Sequence, residues 1–329
     1  MRSVRTRTLA SALTAFLLAL SGCATTGAQS SPRIHPLLAF QSKEAKIFEL
    51  GHRLATGNAA FCTAQQPTVG LLLHDVMAYG DPAAARVAFG LAGDIGVQAI
   101  ASSSPADLAG LDANDTIVAI GDVTIAQVPA GDALDWRRGK MIRQTLERAE
   151  MAGRVPVTWL EPDGTIRSAE LRSKAACASV FELRSGDSEA AADGTRVLVG
   201  ADFEGFDLPD EQLAAVLAHE MAHNQLGHIL ALIEHGRKDE RGLRIEREAD
   251  RLMPWLLANG GFDPRAATAM LRTLAPISDG SVLQTRTHDD RTQRIALVEA
   301  EIARLNQITD DRVVLADWRT YFRTTAPSE

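Results

Sequence analysis

Two histidines and a glutamate form the run H-E-M-A-H at His219, Glu220 and His223. In a helix of 3.6 residues per turn, side chains four positions apart differ by about 40° in direction, so both imidazoles can bind one metal ion. Glu220 is rotated by roughly 100° from His219, which keeps its carboxylate off the ligand face but near a metal-bound water. The spacing predicts two zinc ligands and a general base; the alternative is an amphipathic helix that happens to carry two histidines.

The segment from Pro209 to Ile229 has the features of the helix that this motif requires. Asp210 and Glu211 suit the positive end of a helix dipole, and a proline near the start loses no hydrogen bond. Apolar residues at helical spacing predict a face that is buried in a core. These residues are Leu213, Val216, Leu217 and Met221.

A third metal ligand has to come from another part of the chain. The long metzincin motif would place glycine at 226 and histidine at 229, but Leu226 and Ile229 stand there, with Gly227 and His228 displaced. The metzincin interpretation therefore fails.

A second predicted helix, Arg244–Leu257, carries Glu246 and Asp250 on one face, while Glu248 projects to roughly the opposite side. We predict that Glu246 is the third ligand. Asp250 is expected to accept a hydrogen bond from a ligating histidine and so to fix its tautomer. The alternative for all three acids is a solvated charged face.

The order of the motifs resembles that of a known family. H-E-M-A-H, then E-R-E-A-D, then G-F-D-P are similar to the HtpX and CAAX-protease family of zinc metalloendopeptidases, particularly its BepA-like periplasmic branch. The resemblance implies that His219, His223 and Glu246 bind one Zn²⁺ per chain and that Glu220 is the general base. It also implies an α+β fold whose gluzincin-type peptidase domain is mainly helical.

The same family has a Thr-His-Pro run that an arginine follows. Thr287, His288 and Arg294 fall at matching spacing, with Asp289 in place of the proline. The resemblance implies that His288 is an active-site histidine, which covers the metal or stabilises the oxyanion. It also implies that Arg294 lies next to the metal ligands without binding the metal itself. The alternative is a surface histidine at the start of a helix that runs through Glu299.

The N-terminus has the features of an export signal. Three arginines accompany the apolar run Leu9–Leu20, which at about twelve residues is shorter than the roughly 20 that span a bilayer. L-S-G-C resembles the bacterial lipobox, which implies a lipidated Cys23, and Ala24 implies sorting to the outer membrane. We therefore expect a periplasm-facing lipoprotein of the bacterial envelope; the alternatives are ordinary secretory cleavage or a retained anchor.

Charge and length limit the classes of partner. Loss of the three arginines in residues 1–22 changes the formal net charge from −8 to −11, which excludes nucleic acid as an expected partner. A bare membrane surface would also repel the chain, so the expected attachment to the membrane is through the lipid. The remaining residues suffice for two domains.

Short β-rich runs separated by turn residues extend from about Val87 to Arg172. The stretch Ser104–Ile120 resembles a bacterial PDZ domain, in which Asn114 replaces a glycine and has to tolerate a left-handed backbone. The resemblance implies that peptide C-termini bind beside the sheet, with their carboxylate at backbone N–H groups of Ala92–Gly96. The alternative is a small β domain that acts as a spacer.

The predicted insertion divides the peptidase domain into two parts. Cys62 and Cys177 flank it, and in an oxidising periplasm they are expected to form a disulfide; the alternative is two separate buried thiols. The predicted strands are Val97–Ile100, Thr116–Ile120, Val155–Leu160, Thr165–Leu171 and Arg196–Gly200, and two further predicted helices are Glu44–Thr56 and Asp132–Met151. The domains are 1–22 (signal peptide), 23–36 (lipidated tether), 37–86 (first peptidase part), 87–172 (PDZ-like insertion), 173–305 (main peptidase part) and 306–329 (tail).

The expected function follows from the motifs and the resemblance together. Zinc-activated water, with Glu220 as general base, would hydrolyse peptide bonds. The family acts in envelope quality control, which implies misfolded, unfolded or misassembled envelope proteins as substrates. The alternative is a noncatalytic PDZ-containing envelope chaperone or peptide-binding lipoprotein.

Overall fold

The computed structural model describes residues 35–236, 239–274, 290–309 and 316–324. The helices in this part are α1 (Pro36–Gly57), α2 (Pro82–Phe89), α3 (Pro105–Leu108), α4 (Arg137–Met151), α5 (Asp210–Gln225), α6 (His228–His235), α7 (Asp239–Asn259), α8 (Ala266–Thr273), α9 (Arg291–Thr309) and α10 (Trp318–Tyr321). The strands are β1 (Leu71–Asp75), β2 (Ile95–Ile100), β3 (Thr116–Ile120), β4 (Val123–Thr124), β5 (Arg154–Leu160), β6 (Ile166–Arg172), β7 (Val180–Arg184), β8 (Ala190–Ala192) and β9 (Arg196–Gly200). The predicted α+β class is confirmed.

A six-stranded antiparallel sheet forms the β-rich lobe. Its order is β1-β2-β3-β5-β6, with β4 paired to β3, and α4 packs on it over a buried cluster that includes Ile117, Leu146 and Trp159. Asn114 has φ +71°, so the predicted left-handed position is confirmed. Strand β1 precedes the predicted start of the insertion at Val87 and pairs with β2 along its whole length.

The predicted helix from Asp132 starts five residues too early. Leu134 has φ +68°, and the Asp135 carboxylate accepts a hydrogen bond from the backbone N–H of Arg137 at 2.9 Å. A left-handed residue cannot continue a right-handed helix, so the turn around Leu134 delays α4 until Arg137.

The helical lobe is built around a second, three-stranded sheet. In the order β7-β9-β8, β7 runs parallel to β9 and β8 runs antiparallel to it. Helix α1 packs on β7, and α5 packs against α7 and α8. The predicted buried face of α5 is confirmed, since Leu213, Val216, Leu217 and Met221 all lie in the core.

The C-terminal segment packs on the helical lobe. Helix α9 continues to Thr309, so the predicted tail boundary at residue 306 falls inside a helix. Trp318 and Phe322 are buried, whereas Tyr321 remains 41% exposed. The Trp318 indole N–H donates a hydrogen bond to Asn58 Oδ1 at 3.1 Å, which joins this segment to the end of α1.

Cys62 and Cys177 form a disulfide with a Cα–Cα distance of 5.5 Å. The adjacent pairs Gln65–Cys177 and Thr68–Lys174 form isolated β-bridges, so the chain enters and leaves the β-rich lobe side by side. The disulfide therefore joins the two chain segments that connect the lobes.

Several predictions about the ends of the chain concern residues that the structure does not describe. Cys23, the signal peptide and the tether up to residue 34 lie outside the described residues, as do Thr287, His288 and Asp289. The last tether residue in the predicted range, Pro36, is the first residue of α1. None of the helices in the described residues combines the length and apolarity that crossing a membrane requires.

Removal of the disulfide is expected to destabilise the fold. Cys62→Ala/Cys177→Ala should lower the free energy of unfolding by about 2–4 kcal/mol, because the unfolded chain regains the freedom of a long loop. Urea unfolding of the lipid-free protein measures this change, with the reduced wild type as the matched control. Equal stability of the oxidised wild type and the double variant would show that the bond does not stabilise the fold.

Candidate metal centre

Helix α5 holds the H-E-M-A-H motif in the core of the helical lobe. The side chains of His219 and His223 are buried and point toward α7, where Glu246 lies. The predicted extension of this helix to Ile229 is wrong, because the helix ends at Gln225. Gly227 has φ +68°, which breaks the helix and lets α6 begin in a new direction at His228.

The three predicted ligand atoms lie close together. His219 Nε2 is 3.2 Å from His223 Nε2 and 3.3 Å from Glu246 Oε2, and His223 Nε2 is 3.7 Å from Glu246 Oε2. Zinc–ligand bonds of 2.0–2.2 Å in a tetrahedron separate neighbouring ligand atoms by roughly 3.3–3.6 Å. The spacing and the donor types of His219, His223 and Glu246 therefore fit one zinc ion.

The electrostatic environment of His219 favours positive charge. Burial alone would lower the pKa of this imidazole, but Asp250, Glu246 and Glu220 outweigh burial and raise the pKa to about 10. Three carboxylates around two buried imidazoles create a negative potential. That potential suits a divalent cation.

Asp250 supports His219 from the side opposite Glu246. Its Oδ1 lies 3.1 Å from His219 Nδ1. Arg294, on α9, donates to both carboxylate oxygens at 2.7 and 2.8 Å. Burial raises the pKa of Asp250, but Arg294 and His219 outweigh burial and lower the pKa to about 2, so the carboxylate stays ionised.

Glu220 lies between the imidazoles and the edge strand β8. Burial raises the pKa of its carboxyl group, against the lowering effect of the two histidines. The backbone N–H of Ala192 in β8 lies close enough to lower the pKa of this carboxyl group slightly. The residue as a whole is partly exposed to solvent.

Two buried polar residues beside the site were not predicted. His228 Nδ1 lies 3.1 Å from His223 Nδ1, and His228 Nε2 lies 3.1 Å from Glu248 Oε2. Glu248 was expected to project away from the ligands, and its carboxylate contacts His228 of α6. The alternative of a solvated acidic face is wrong, because Glu248 and Asp250 are both buried. The missing signal was the helix break at Gly227, which brings His228 back toward α7.

A separate groove lies between β1 and α4. It includes a cavity of about 360 Å³ that α1 and β7 also line. Strand β1 is a terminal strand of its sheet and pairs only with β2 in the described residues. At the head of the groove, Glu150 Oε1 accepts a hydrogen bond from the backbone N–H of Val69 at 2.8 Å, and burial raises the pKa of Glu150 to about 7.

The loop Ala92–Gly96, which is the predicted site for a peptide carboxylate, makes several contacts of its own. The backbone N–H of Ala92 donates to the Thr116 hydroxyl at 3.0 Å. Arg86 and Arg138 both donate to the Asp94 carboxylate, so fixed charges of both signs lie at this loop. The expectation that this loop binds a peptide carboxylate stays a prediction.

No protein-family model, curated protein or solved structure matches this chain. The resemblance to the HtpX and CAAX-protease family stays a prediction from the motifs. The support for a metal centre is local, and it consists of the three ligand atoms and the charged groups that surround them.

Zinc binding should depend on both helices of the site. The lipid-free protein from metal-replete medium is expected to bind one equivalent of zinc, and His223→Ala or Glu246→Ala should abolish this stoichiometric binding, since each removes one of three ligands. Elemental analysis after gel filtration measures the content. His235→Ala, which changes an exposed histidine of α6, is the matched control. Unchanged zinc content in both ligand variants would exclude this site.

Proposed function

We propose that this protein is a zinc-dependent metalloendopeptidase. The observation that carries the proposal is the group of His219, His223 and Glu246, whose ligand atoms lie 3.2–3.7 Å apart on two packed helices. Three protein ligands leave a fourth tetrahedral position for water or substrate, which is the arrangement of catalytic rather than structural zinc sites. Glu220 stands next to this group.

Zinc, when bound, would polarise a peptide carbonyl and lower the pKa of water to about 7. Glu220 would accept the proton of that water and then deliver it to the leaving amine. Its raised pKa suits this exchange, because a carboxyl group with a higher pKa is a stronger base.

Strand β8 offers a place for the substrate backbone. In the described residues it pairs with β9 on one side only, and it contacts the motif helix α5. An extended polypeptide can add to such an edge through main-chain hydrogen bonds. Binding there would place a peptide bond beside Glu220 without a requirement for particular side chains.

The motifs supply the rest of the proposal. Their resemblance to the envelope metalloendopeptidases supports misfolded, unfolded or misassembled envelope proteins as substrates, and Cys23 supports a periplasm-facing lipoprotein of the outer membrane. One Zn²⁺ per chain would be the cofactor.

Glu220→Gln should separate metal binding from hydrolysis. The variant is expected to keep one zinc per chain but to cleave unfolded casein roughly 10²- to 10⁴-fold more slowly, because an amide cannot accept the proton. Glu234→Gln, at an exposed position of α6, is the matched control and should retain the parental rate. Parental cleavage by a zinc-loaded Glu220→Gln protein would refute the proposed mechanism.

A second candidate function is peptide binding without hydrolysis, as in an envelope chaperone. The groove between β1 and α4 favours it, because an unpaired strand edge beside a helix can accept an extended peptide. Glu150 already occupies the Val69 amide at the head of this groove. We therefore propose that the groove takes internal peptide segments rather than the C-termini that the PDZ resemblance implies.

This preference can be measured with two peptides that differ only in a C-terminal carboxylate or carboxamide. Both should bind Glu220→Gln protein with affinities within about threefold, since the backbone N–H groups of Val69 and Gly70 at the head of the groove already donate to Glu150 and Thr68. Fluorescence anisotropy gives both dissociation constants, and Glu150→Ala tests the assignment by freeing the Val69 amide and favouring the carboxylate. A tenfold preference of the parental groove for the carboxylate would contradict the proposal.

A further inference from the structure

His228 and Glu248 are buried polar residues to which the proposed reaction assigns no step. His228 is 3% exposed and Glu248 is 5% exposed. Their contact of 3.1 Å continues from the contact of 3.1 Å between His228 and His223. A buried carboxylate is costly unless it is paired, and the imidazole of His228 is one partner of Glu248.

The atoms in these contacts determine where the hydrogens lie. His223 turns its Nε2 toward His219 and Glu246, so Nδ1 has to carry the hydrogen of the neutral ring if Nε2 binds a metal. That N–H can donate only to a bare Nδ1 of His228. The hydrogen of His228 then lies on Nε2, from which it donates to the Glu248 carboxylate, which only accepts.

The resulting chain has one direction, from His223 through His228 to Glu248. It corresponds to the contact that Asp250 makes with the other histidine ligand, His219. Asp250 reaches His219 directly from α7, whereas the contact from α7 to His223 passes through His228 on α6. One helix thus supplies a carboxylate behind each imidazole.

We propose that His228 and Glu248 are positioning residues that hold His223 in the tautomer and orientation in which Nε2 binds zinc. This proposal rests on the proposed metal site but not on the proposed reaction. Partners behind a metal-bound histidine generally contribute to metal affinity, because they remove the freedom of the ring to rotate or change tautomer. Gly227 makes this arrangement possible, because its left-handed backbone starts α6 in a direction that brings His228 into contact with His223 and Glu248.

The test compares zinc affinity in His228→Phe and His228→Gln by competition with a chelator. Phenylalanine fills the space but makes neither hydrogen bond, and should weaken zinc binding by roughly 10- to 100-fold. Glutamine can accept from His223 through its oxygen and donate to Glu248 through its nitrogen, so it should restore most of the affinity. His235→Phe, on the exposed side of α6, should leave affinity unchanged.

A second readout separates positioning from packing. In the zinc-loaded wild type, the ¹⁵N shifts of His223 should show a protonated Nδ1 and a metal-bound Nε2, and His228→Phe should broaden or shift these signals while His228→Gln keeps them. Thermal unfolding of the metal-free proteins identifies variants that fail to fold. If His228→Phe does not fold, Glu248→Ala, which removes the final acceptor, takes its place and should lower zinc affinity as well.

The outcomes distinguish this proposal from the proposed function. Folded variants that bind zinc as tightly as the wild type would overturn the role of His228 and Glu248 while the metal site stands. A wild type that binds zinc but does not hydrolyse peptides would overturn the peptidase and leave the positioning role intact. A wild type that binds no zinc would overturn both.

Discussion

The packing of α5 against α7 is the contact on which the candidate site depends. Apolar residues on both helices, such as Leu217 and Met221 on α5 and Leu252 on α7, are completely buried in one core. Burial of each such side chain contributes roughly 1.5–3 kcal/mol, more than a typical hydrogen bond. The core therefore fixes the distance between the helices, and with it the distance from Glu246 to the two imidazoles.

The packing of α5 against α7 brings together ionisable groups whose burial would be unfavourable without partners. Asp250 is neutralised by Arg294, and Glu248 contacts His228. Glu246 and Glu220 instead face His219 and His223, and the negative potential raises the pKa of His219. A core that holds two carboxylates against two imidazoles is more costly than an apolar core of the same size. A bound cation would offset that cost, which supports a functional reason for the cluster.

The parts of the site that the sequence predicted are those that depend on one helix at a time. The directions of His219 and His223, and of Glu246 and Asp250, follow from 3.6 residues per turn. The contacts that these residues make with other elements depend on where helices and strands begin and end, and the local sequence signals those positions only weakly. Apolar Ile229 continues the helical pattern past Gly227, so the break and the return of His228 were missed. Likewise, β1 is a short leucine run without β-branched residues, and such a run is equally compatible with a helix.

The metal centre and the groove share one feature, because each lies beside the edge of a strand. Strands β1 and β8 belong to different sheets, and each pairs on one side only in the described residues. Proteins usually protect such edges, because an unpaired strand edge can bind the backbone of any extended chain. Here one edge borders a groove and the other borders Glu220. Recognition through backbone atoms selects for an extended conformation rather than for a sequence, and a polypeptide in that conformation is one that has not folded. The edges therefore favour unfolded proteins as the substrates of the proposed peptidase.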